Sequence, residues 1–122
     1  MIAIVDYGVG NLFSLQSSLK YIGTDVRVTA EPSVLNAAKK IILPGVGAFG
    51  DAAQKLRQSG LDEIVIAQAK KGKPLMGICL GMQLLLDSGK EYGTHKGLGL
   101  IPGRVVSMKG VVPSGYKLPH IG

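Results

Sequence analysis

Short apolar runs alternate along the chain with segments in which apolar residues recur every three or four positions. The runs predict strands at 2–5, 41–43 and 74–78, and Val26 and Val28 predict a further strand at 26–28 with alternating exposure. The segments with helical spacing predict helices at 12–22, 32–38, 51–58, 61–70 and 80–86. Strands that alternate with helices pair in parallel through right-handed crossovers. The pattern therefore predicts an α/β fold with a mainly parallel sheet at its centre.

Residue types at the segment ends and on the helix faces refine this prediction. Asn11 is a favourable N-cap for the first helix, and Gly23 closes that helix where a C-terminal glycine is expected. In the fourth helix, the spacing predicts that Ile64, Val65 and Ala67 face the core. Both helices are thus expected to pack against the sheet.

Three turns are predicted to share one edge of the sheet. They follow Asp6, Leu43 and Ile78, each at the carboxyl end of a predicted strand. Parallel strands bring their carboxyl ends to the same edge, and open α/β sheets bind ligands there. This edge is therefore the expected location of a functional site.

The chain beyond Lys90 has no helical spacing. Segments 97–106 and 111–122 are typical of strands joined by glycine and proline turns, and no linker separates them from the preceding residues. A length of 122 residues fits one domain at most. We therefore expect residues 1–122 to belong to a single domain, with peripheral strands after residue 97.

Composition narrows the class of protein. Hydrophobic residues make up 46% of the chain and charged residues 18%, which is enough apolar content for a core. The net charge of +6 comes largely from scattered lysines and only 5% of residues are aromatic, so nucleic-acid binding is not expected. No apolar run is long enough to cross a bilayer and no signal segment is visible. A soluble, cytoplasmic protein without a membrane partner, cofactor or metal site is the expectation.

The single cysteine lies in a turn where chemistry is expected. Cys79 stands between a predicted strand and a predicted helix, with Gly77 and Gly81 two residues to either side, which is the pattern of a nucleophile elbow. Side chains at the glycine positions would collide with the neighbouring strand and helix. The helix N-terminus favours a thiolate, and the amide of Leu80 is suited to bind an oxyanion. These features favour a nucleophile over a buried structural cysteine.

A second glycine-rich turn ends the strand predicted at 41–43. Pro44 is followed by Gly45, Val46 and Gly47, whose backbone can approach a ligand closely and offer free amides. The turn is predicted to lie beside the cysteine. It is therefore a candidate for the second half of an oxyanion hole.

The two histidines are poor candidates for the general base that a cysteine nucleophile needs. His95 lies in a polar segment that is predicted to be an exposed loop. His120 is two residues from the last residue. Neither is assigned as a base.

The segment GICLGMQ at 77–83 resembles the signature of class I glutamine amidotransferases, which hydrolyse glutamine through a cysteinyl thioester. Four other segments resemble one branch, the glutaminase subunits of imidazole glycerol phosphate synthases: DYGVGNL at 6–12, PGVGAF at 44–49, GLGLIPG at 97–103 and LPHIG at 118–122. The resemblance runs from the first residue to the last. It implies a flavodoxin-like, three-layer α/β sandwich.

The resemblance implies roles for individual residues, with Cys79 as the nucleophile. It assigns the oxyanion to Val46, Gly47 and Leu80, and the glutamine to Gly45, Gly47 and Gln83. The base histidine and the glutamate of the family lie downstream of Gly122. The chain is therefore expected to be a truncated, N-terminal portion of the domain and to be nearly inactive by itself.

The family also implies a partner. Its glutaminase subunits form heterodimers with a (β/α)8-barrel cyclase, which uses the ammonia in histidine biosynthesis. Asn11, Pro119 and His120 are predicted to face this partner. Two alternatives stay open, a glutaminase that serves another synthase and a non-catalytic flavodoxin-like module in which Cys79 is buried.

Overall fold

A computed structural model describes residues 1–108 of the chain. Four parallel strands form the central sheet, which we call sheet A, in the order β2-β1-β3-β4. Its strands are β1 (Ile2–Val5), β2 (Val26–Thr29), β3 (Lys40–Leu43) and β4 (Leu75–Gly77). The helices are α1 (Leu12–Tyr21), α2 (Pro32–Ala37), α3 (Phe49–Gln58), α4 (Leu61–Lys70) and α5 (Leu80–Leu84). All the helices described are too short or too polar to cross a bilayer.

Helices cover both faces of sheet A, which gives the three layers expected from the sequence. On one face, α1 packs on the sheet through Leu12, Leu15 and Leu19. The larger core lies on the other face and includes one deeply buried residue from each of α2, α3, α4 and α5: Leu35, Leu56, Val65 and Leu84. Successive residues of β1 alternate between the two faces, and both faces are covered by helices. The two inner strands, β1 and β3, are therefore nearly continuous apolar runs, whereas the edge strand β2 carries the exposed Arg27.

The ends of α1 match the prediction. The side-chain oxygen of Asn11 accepts a hydrogen bond from the N–H of Ser14 at 3.3 Å, as an N-cap does. Gly23 adopts φ +84°, and its N–H donates to the carbonyl of Lys20 at 3.0 Å. These contacts fix both ends of the helix that follows the first turn of the functional edge.

The inward face of α4 differs from the prediction at one position. Val65 is fully buried and Ile64 partly buried, but Ala67 is exposed and the buried position is taken by Gln68. The Gln68 Nε2 donates to Asn36 Oδ1 at 2.7 Å. A polar side chain can occupy a core-facing position when it finds such a partner.

A second sheet follows sheet A and contains β5 (Leu86–Lys90), β6 (Thr94–Lys96) and β7 (Ile101–Val105). Its order is β6-β5-β7, with β5 antiparallel to β6 and parallel to β7. These strands are peripheral, as expected, but β5 and β6 begin before residue 97, and only β7 falls in the segment predicted as a strand at 97–106. The strand predicted at 111–122 lies outside the described residues.

The helix predicted at 80–86 is shorter than expected. It ends at Leu84, because residues 98–101 donate hydrogen bonds to the carbonyls of residues 84–86. The N–H of Leu98, for example, donates to the carbonyl of Leu84 at 2.8 Å. This loop satisfies the carbonyls of the last helical turn, and the chain then continues as β5.

Candidate functional site

Cys79 lies at the carboxyl edge of sheet A, where Ile78 and Cys79 alone connect β4 to helix α5. The residue is exposed and adopts φ +57° and ψ −125°. A positive φ is uncommon for a residue with a side chain and costs about 1–3 kcal/mol, so the surrounding contacts must impose it. The N–H of Ile78 donates to the carbonyl of Leu43 at 3.0 Å, and the N–H of Met82 donates to the carbonyl of Cys79 at 3.0 Å. The turn has the strained strand-to-helix geometry of a nucleophile elbow.

The two flanking glycines are required by their surroundings. A Cβ on Gly77 would lie 2.5 Å from the Cα of Met82 and 2.7 Å from its nitrogen. A Cβ on Gly81 would overlap the carbonyl oxygen of Leu43 at the end of β3. The predicted collisions, one with the helix and one with the neighbouring strand, are thus confirmed.

The glycine turn after β3 lies against this elbow. A Cβ on Gly45 would lie 2.7 Å from the nitrogen of Gly81, so the two backbones are in direct contact. Val46 and Gly47 are exposed, and no residue between 1 and 108 accepts a hydrogen bond from either N–H. The structure therefore brings together the two backbone segments that were predicted to form an oxyanion hole, and the amides of Leu80, Val46 and Gly47 have no acceptor within the described residues.

Tyr7 contributes to this edge and was not singled out from the sequence. Its side chain is buried, and its hydroxyl donates to the carbonyl oxygen of Pro44 at 2.5 Å. Burial raises the pKa of Tyr7 to about 12, so the hydroxyl remains a donor at physiological pH. The only local signal is a tyrosine two residues after β1, at the edge where the other turns meet.

A cleft of about 380 Å³ opens beside the glycine turn. Its lining comes from the turn after β1, the residues that follow Gly45, and helix α3: Gly8, Val9, Gly10, Val46, Gly47, Ala48, Asp51, Ala52 and Lys55. Of the residues predicted to contact glutamine, only Gly47 lines this cleft. Gln83 lies in α5 and is partly buried, and its N–H donates to the carbonyl of Cys79 at 3.4 Å.

The structure describes only one of the three residues predicted to face the partner, and it also describes His95. Asn11 is exposed after the first turn of the edge, where its side chain caps α1. Pro119 and His120 lie outside the described residues. His95 is in β6 rather than in an exposed loop, and its ring is partly buried against Gly50, where a Cβ would lie 2.7 Å from the ring atoms. The missing side chain at Gly50 makes room for that ring.

Comparison with known proteins agrees with this geometry. Residues 2–112 match the family of CobB/CobQ-like glutamine amidotransferase domains. Proteins called imidazole glycerol phosphate synthase subunit HisH are 52% identical in Desulfitobacterium hafniense, 49% in Wolinella succinogenes and 49% in Methanothermobacter thermautotrophicus. Each alignment covers 100% of the chain but 56%, 60% and 59% of these relatives, respectively. The expected resemblance to the glutaminase branch is confirmed, and the chain spans under two thirds of these relatives.

Solved structures support the same fold. A crystal structure of a glutamine amidotransferase has a TM-score of 0.73 at 22% identity, over 87% of this chain and 56% of its own. A putative peptidase E from Listeria monocytogenes has a TM-score of 0.67 at 14% identity, over 82% of this chain and 62% of its own. At these identities the likeness concerns the fold alone, which is the flavodoxin-like architecture expected from the sequence. The family model, in contrast, matches nearly the whole chain by sequence. The chain therefore belongs to the CobB/CobQ-like glutamine amidotransferase family.

Proposed function

We propose that this chain supplies the nucleophile and the oxyanion-binding backbone of the glutaminase subunit of an imidazole glycerol phosphate synthase. The observation that carries the proposal is the packing of an exposed, strained Cys79 turn against a glycine turn in which the amides of Val46 and Gly47 have no acceptor among residues 1–108. The similarity to HisH subunits over the whole chain supports the choice of synthase. In this proposal, residues 1–122 are the N-terminal portion of one glutamine amidotransferase domain.

The chemistry follows from the arrangement at the elbow. The thiolate of Cys79 attacks the side-chain amide carbon of glutamine, and the carbonyl oxygen becomes an oxyanion. The N–H groups of Leu80, Val46 and Gly47 stabilise that oxyanion. The C–N bond then breaks, the nitrogen takes up a proton and leaves as ammonia, and a cysteinyl thioester remains. Water hydrolyses the thioester to glutamate and restores the thiol.

Substrate contacts and proton transfer complete the proposed site. Gly45 and Gln83 contact the glutamine together with Gly47. The general base and its orienting acid come from polypeptide outside these 122 residues. By itself, the chain is therefore expected to react with a glutamine-like electrophile only slowly at neutral pH, because no base assists the thiol. Rapid and saturable labelling of Cys79 would contradict this assignment.

The proposed partner is a (β/α)8-barrel cyclase that forms a heterodimer with the glutaminase and receives its ammonia in the cytoplasm. Asn11, Pro119 and His120 are the proposed contacts with it. The position of Asn11 after the first turn of the functional edge supports this orientation. Substitutions that introduce a negative charge at these three positions, such as changes to glutamate, are expected to weaken assembly, measured by co-purification. Unchanged assembly would remove this surface from the proposal.

A chimera tests the proposed activity. The stretch of the Desulfitobacterium hafniense relative that aligns with this chain is replaced by the 122 residues, and glutamate release is measured with the cyclase present. We expect glutamine-dependent turnover that Cys79→Ala lowers by at least about 10³-fold. The cyclase reaction with added ammonium is the control, because it needs no glutaminase and is expected to stay unchanged. Full glutamate release by the Cys79→Ala chimera would refute the proposed nucleophile.

The two alternatives predict different observations. A glutaminase of another synthase would keep the elbow but would not co-purify with a cyclase barrel. A non-catalytic module would bury its cysteine, whereas Cys79 is exposed. This exposure favours the glutaminase over the non-catalytic module.

A further inference from the structure

Tyr7 links the turn after β1 to the glycine turn after β3. The side chain is only 6% exposed, and its hydroxyl donates to the buried Pro44 carbonyl at 2.5 Å across 37 positions of sequence. Pro44 has no N–H of its own, so the backbone at this residue can be tethered by hydrogen bonding only through its carbonyl.

Two successive carbonyls tether the glycine turn in two directions. The carbonyl of Leu43 accepts from the N–H of Ile78 at 3.0 Å, which ties it to the strand that leads into Cys79. The next carbonyl, that of Pro44, accepts from Tyr7. The C=O and N–H of a planar trans peptide point in opposite directions, so fixing the Pro44 carbonyl also fixes the N–H of Gly45.

The same hydroxyl also lies against the contact between the turn and the elbow. A Cβ on Gly45 would be 2.9 Å from the Tyr7 oxygen and 2.7 Å from the nitrogen of Gly81. Gly45 is thus enclosed between Tyr7 and the elbow. The next two N–H groups, of Val46 and Gly47, have no acceptor among residues 1–108, so no hydrogen bond of their own within these residues fixes their direction.

We propose that Tyr7 is a positioning residue, whose hydroxyl holds the Pro44–Gly45 peptide so that the following amides converge on the oxyanion formed at Cys79. The inference rests on the proposed function, because it presumes that an oxyanion forms there. Without the hydroxyl, the buried Pro44 carbonyl loses its partner and the turn can rotate. A phenylalanine fills almost the same volume, so Tyr7→Phe removes the anchor and little else.

Two thiol reagents can distinguish a loss of oxyanion-binding geometry from a general disturbance of the fold. Both react at Cys79, because it is the only cysteine in the chain. With p-nitrophenyl acetate, the thiolate adds to the ester carbonyl, an oxyanion forms, p-nitrophenolate leaves with its electron pair, and a thioester remains. With iodoacetamide, sulfur displaces iodide at a saturated carbon and no oxyanion forms. The ratio of the two rates in mildly alkaline buffer, corrected with Cys79→Ala, therefore reports the oxyanion-binding geometry.

We expect Tyr7→Phe to lower this ratio about ten-fold, less than the ~10²–10³-fold that loss of an oxyanion donor itself causes. The iodoacetamide rate is expected to stay within about two-fold. Tyr21→Phe is the matched control, since Tyr21 is 91% exposed at the end of α1, and it is expected to leave both rates unchanged.

The outcomes distinguish the two proposals. A wild-type ratio above that of N-acetylcysteine, with the same ratio in Tyr7→Phe, would overturn the role of Tyr7 and leave the proposed function standing. A wild-type ratio equal to that of N-acetylcysteine would overturn both, because no oxyanion would be stabilised at the elbow. Equal losses with both reagents would show that Tyr7 controls only access to Cys79, which also overturns the positioning role.

Discussion

Sheet A and the second sheet are stabilised in different ways. In sheet A, Ala3, Ile4 and Val5 of β1 are fully buried, and helices lie on both faces. In β5, β6 and β7, Gly89 is the only buried residue. Apolar side chains therefore specify the first sheet, whereas the second has few to bury.

The second sheet depends instead on close backbone approach. A Cβ on Gly89 would lie 2.6 Å from the ring of the fully buried Phe49. The guanidinium of Arg57 donates to the carbonyl of Lys96 at 2.9 Å, and Leu98 donates to Leu84 as described above. The comparison indicates that the second sheet is specified by glycines at points of close contact and by hydrogen bonds to backbone carbonyls.

The largest effect is expected at Gly81, where sheet A meets the elbow. Gly81→Ala places a Cβ onto the carbonyl of Leu43, so we expect the free energy of unfolding to fall by about 4 kcal/mol or more, measured in urea. Gly72→Ala is the control, because its Cβ has open space and only the positive φ of +91° is unfavourable. It is expected to cost about 1 kcal/mol. Equal costs would contradict the steric argument.

A smaller and more local effect is expected in the second sheet. Gly89→Ala presses a methyl group against Phe49, and we expect a loss of about 2 kcal/mol. Hydrogen exchange should accelerate in β5–β7 while β1 and β3 keep their protection, because the second sheet can open separately. Lys90→Ala, a substitution at an exposed position of the same strand, is expected to change neither the stability nor the hydrogen exchange rates. Uniform acceleration in both sheets would mean that they unfold as one unit.

A third prediction concerns Tyr7 and alkaline pH. Tyr7→Phe is expected to cost about 1 kcal/mol at neutral pH through loss of the hydrogen bond to Pro44. A tyrosine ordinarily has a pKa of 10.0, whereas burial raises the pKa of Tyr7 to about 12, so the folded state binds more protons than the unfolded state between these values. Stability should therefore decline as pH rises from 10.0 to about 12. This decline should be weaker in Tyr7→Phe than in Tyr21→Phe, and identical pH profiles would contradict the burial of the hydroxyl.

An effect as small as that of Tyr7→Phe at neutral pH is expected at Asn11, where the helix cap and the proposed interface can be tested separately. Asn11→Ala should lower stability by about 1 kcal/mol, and Asn11→Asp should retain nearly all of it because a carboxylate also caps a helix. If Asn11 contacts the cyclase as well, Asn11→Asp should still weaken co-purification. If co-purification falls only in proportion to the loss of stability in both Asn11→Ala and Asn11→Asp, Asn11 acts as a helix cap only.

Sequence patterns predicted sheet A and the elbow because the relevant signals are local. The apolar run at 2–5 and the five residues around Cys79 each contain what their conformation requires. The burial of Gln68 was not predictable, since its partner Asn36 is 32 positions away. The early end of α5 likewise depends on carbonyl partners in residues 98–101. Spacing within one segment carries no information about such distant partners.

The hydrogen bond from Tyr7 to Pro44, which holds the glycine turn, was not predicted for the same reason. Gly45, Val46 and Gly47 were predicted as a site from their own composition, whereas Tyr7 reaches it from the turn after β1, a strand that is adjacent to β3 only in the folded sheet. A tyrosine side chain can both pack in a core and donate a hydrogen bond, so the residue type alone does not indicate either role. Only the three-dimensional contact identifies the acceptor.

The backbone of Cys79 has a consequence for how such a protein changes over generations. At φ +57° a cysteine is strained, whereas a glycine would adopt the same conformation without that strain. The thiol is therefore kept at a cost in stability, and Cys79→Gly, which would abolish the chemistry, would leave a more stable fold. Lineages released from selection for the thiol would be expected to lose it early while the scaffold persists.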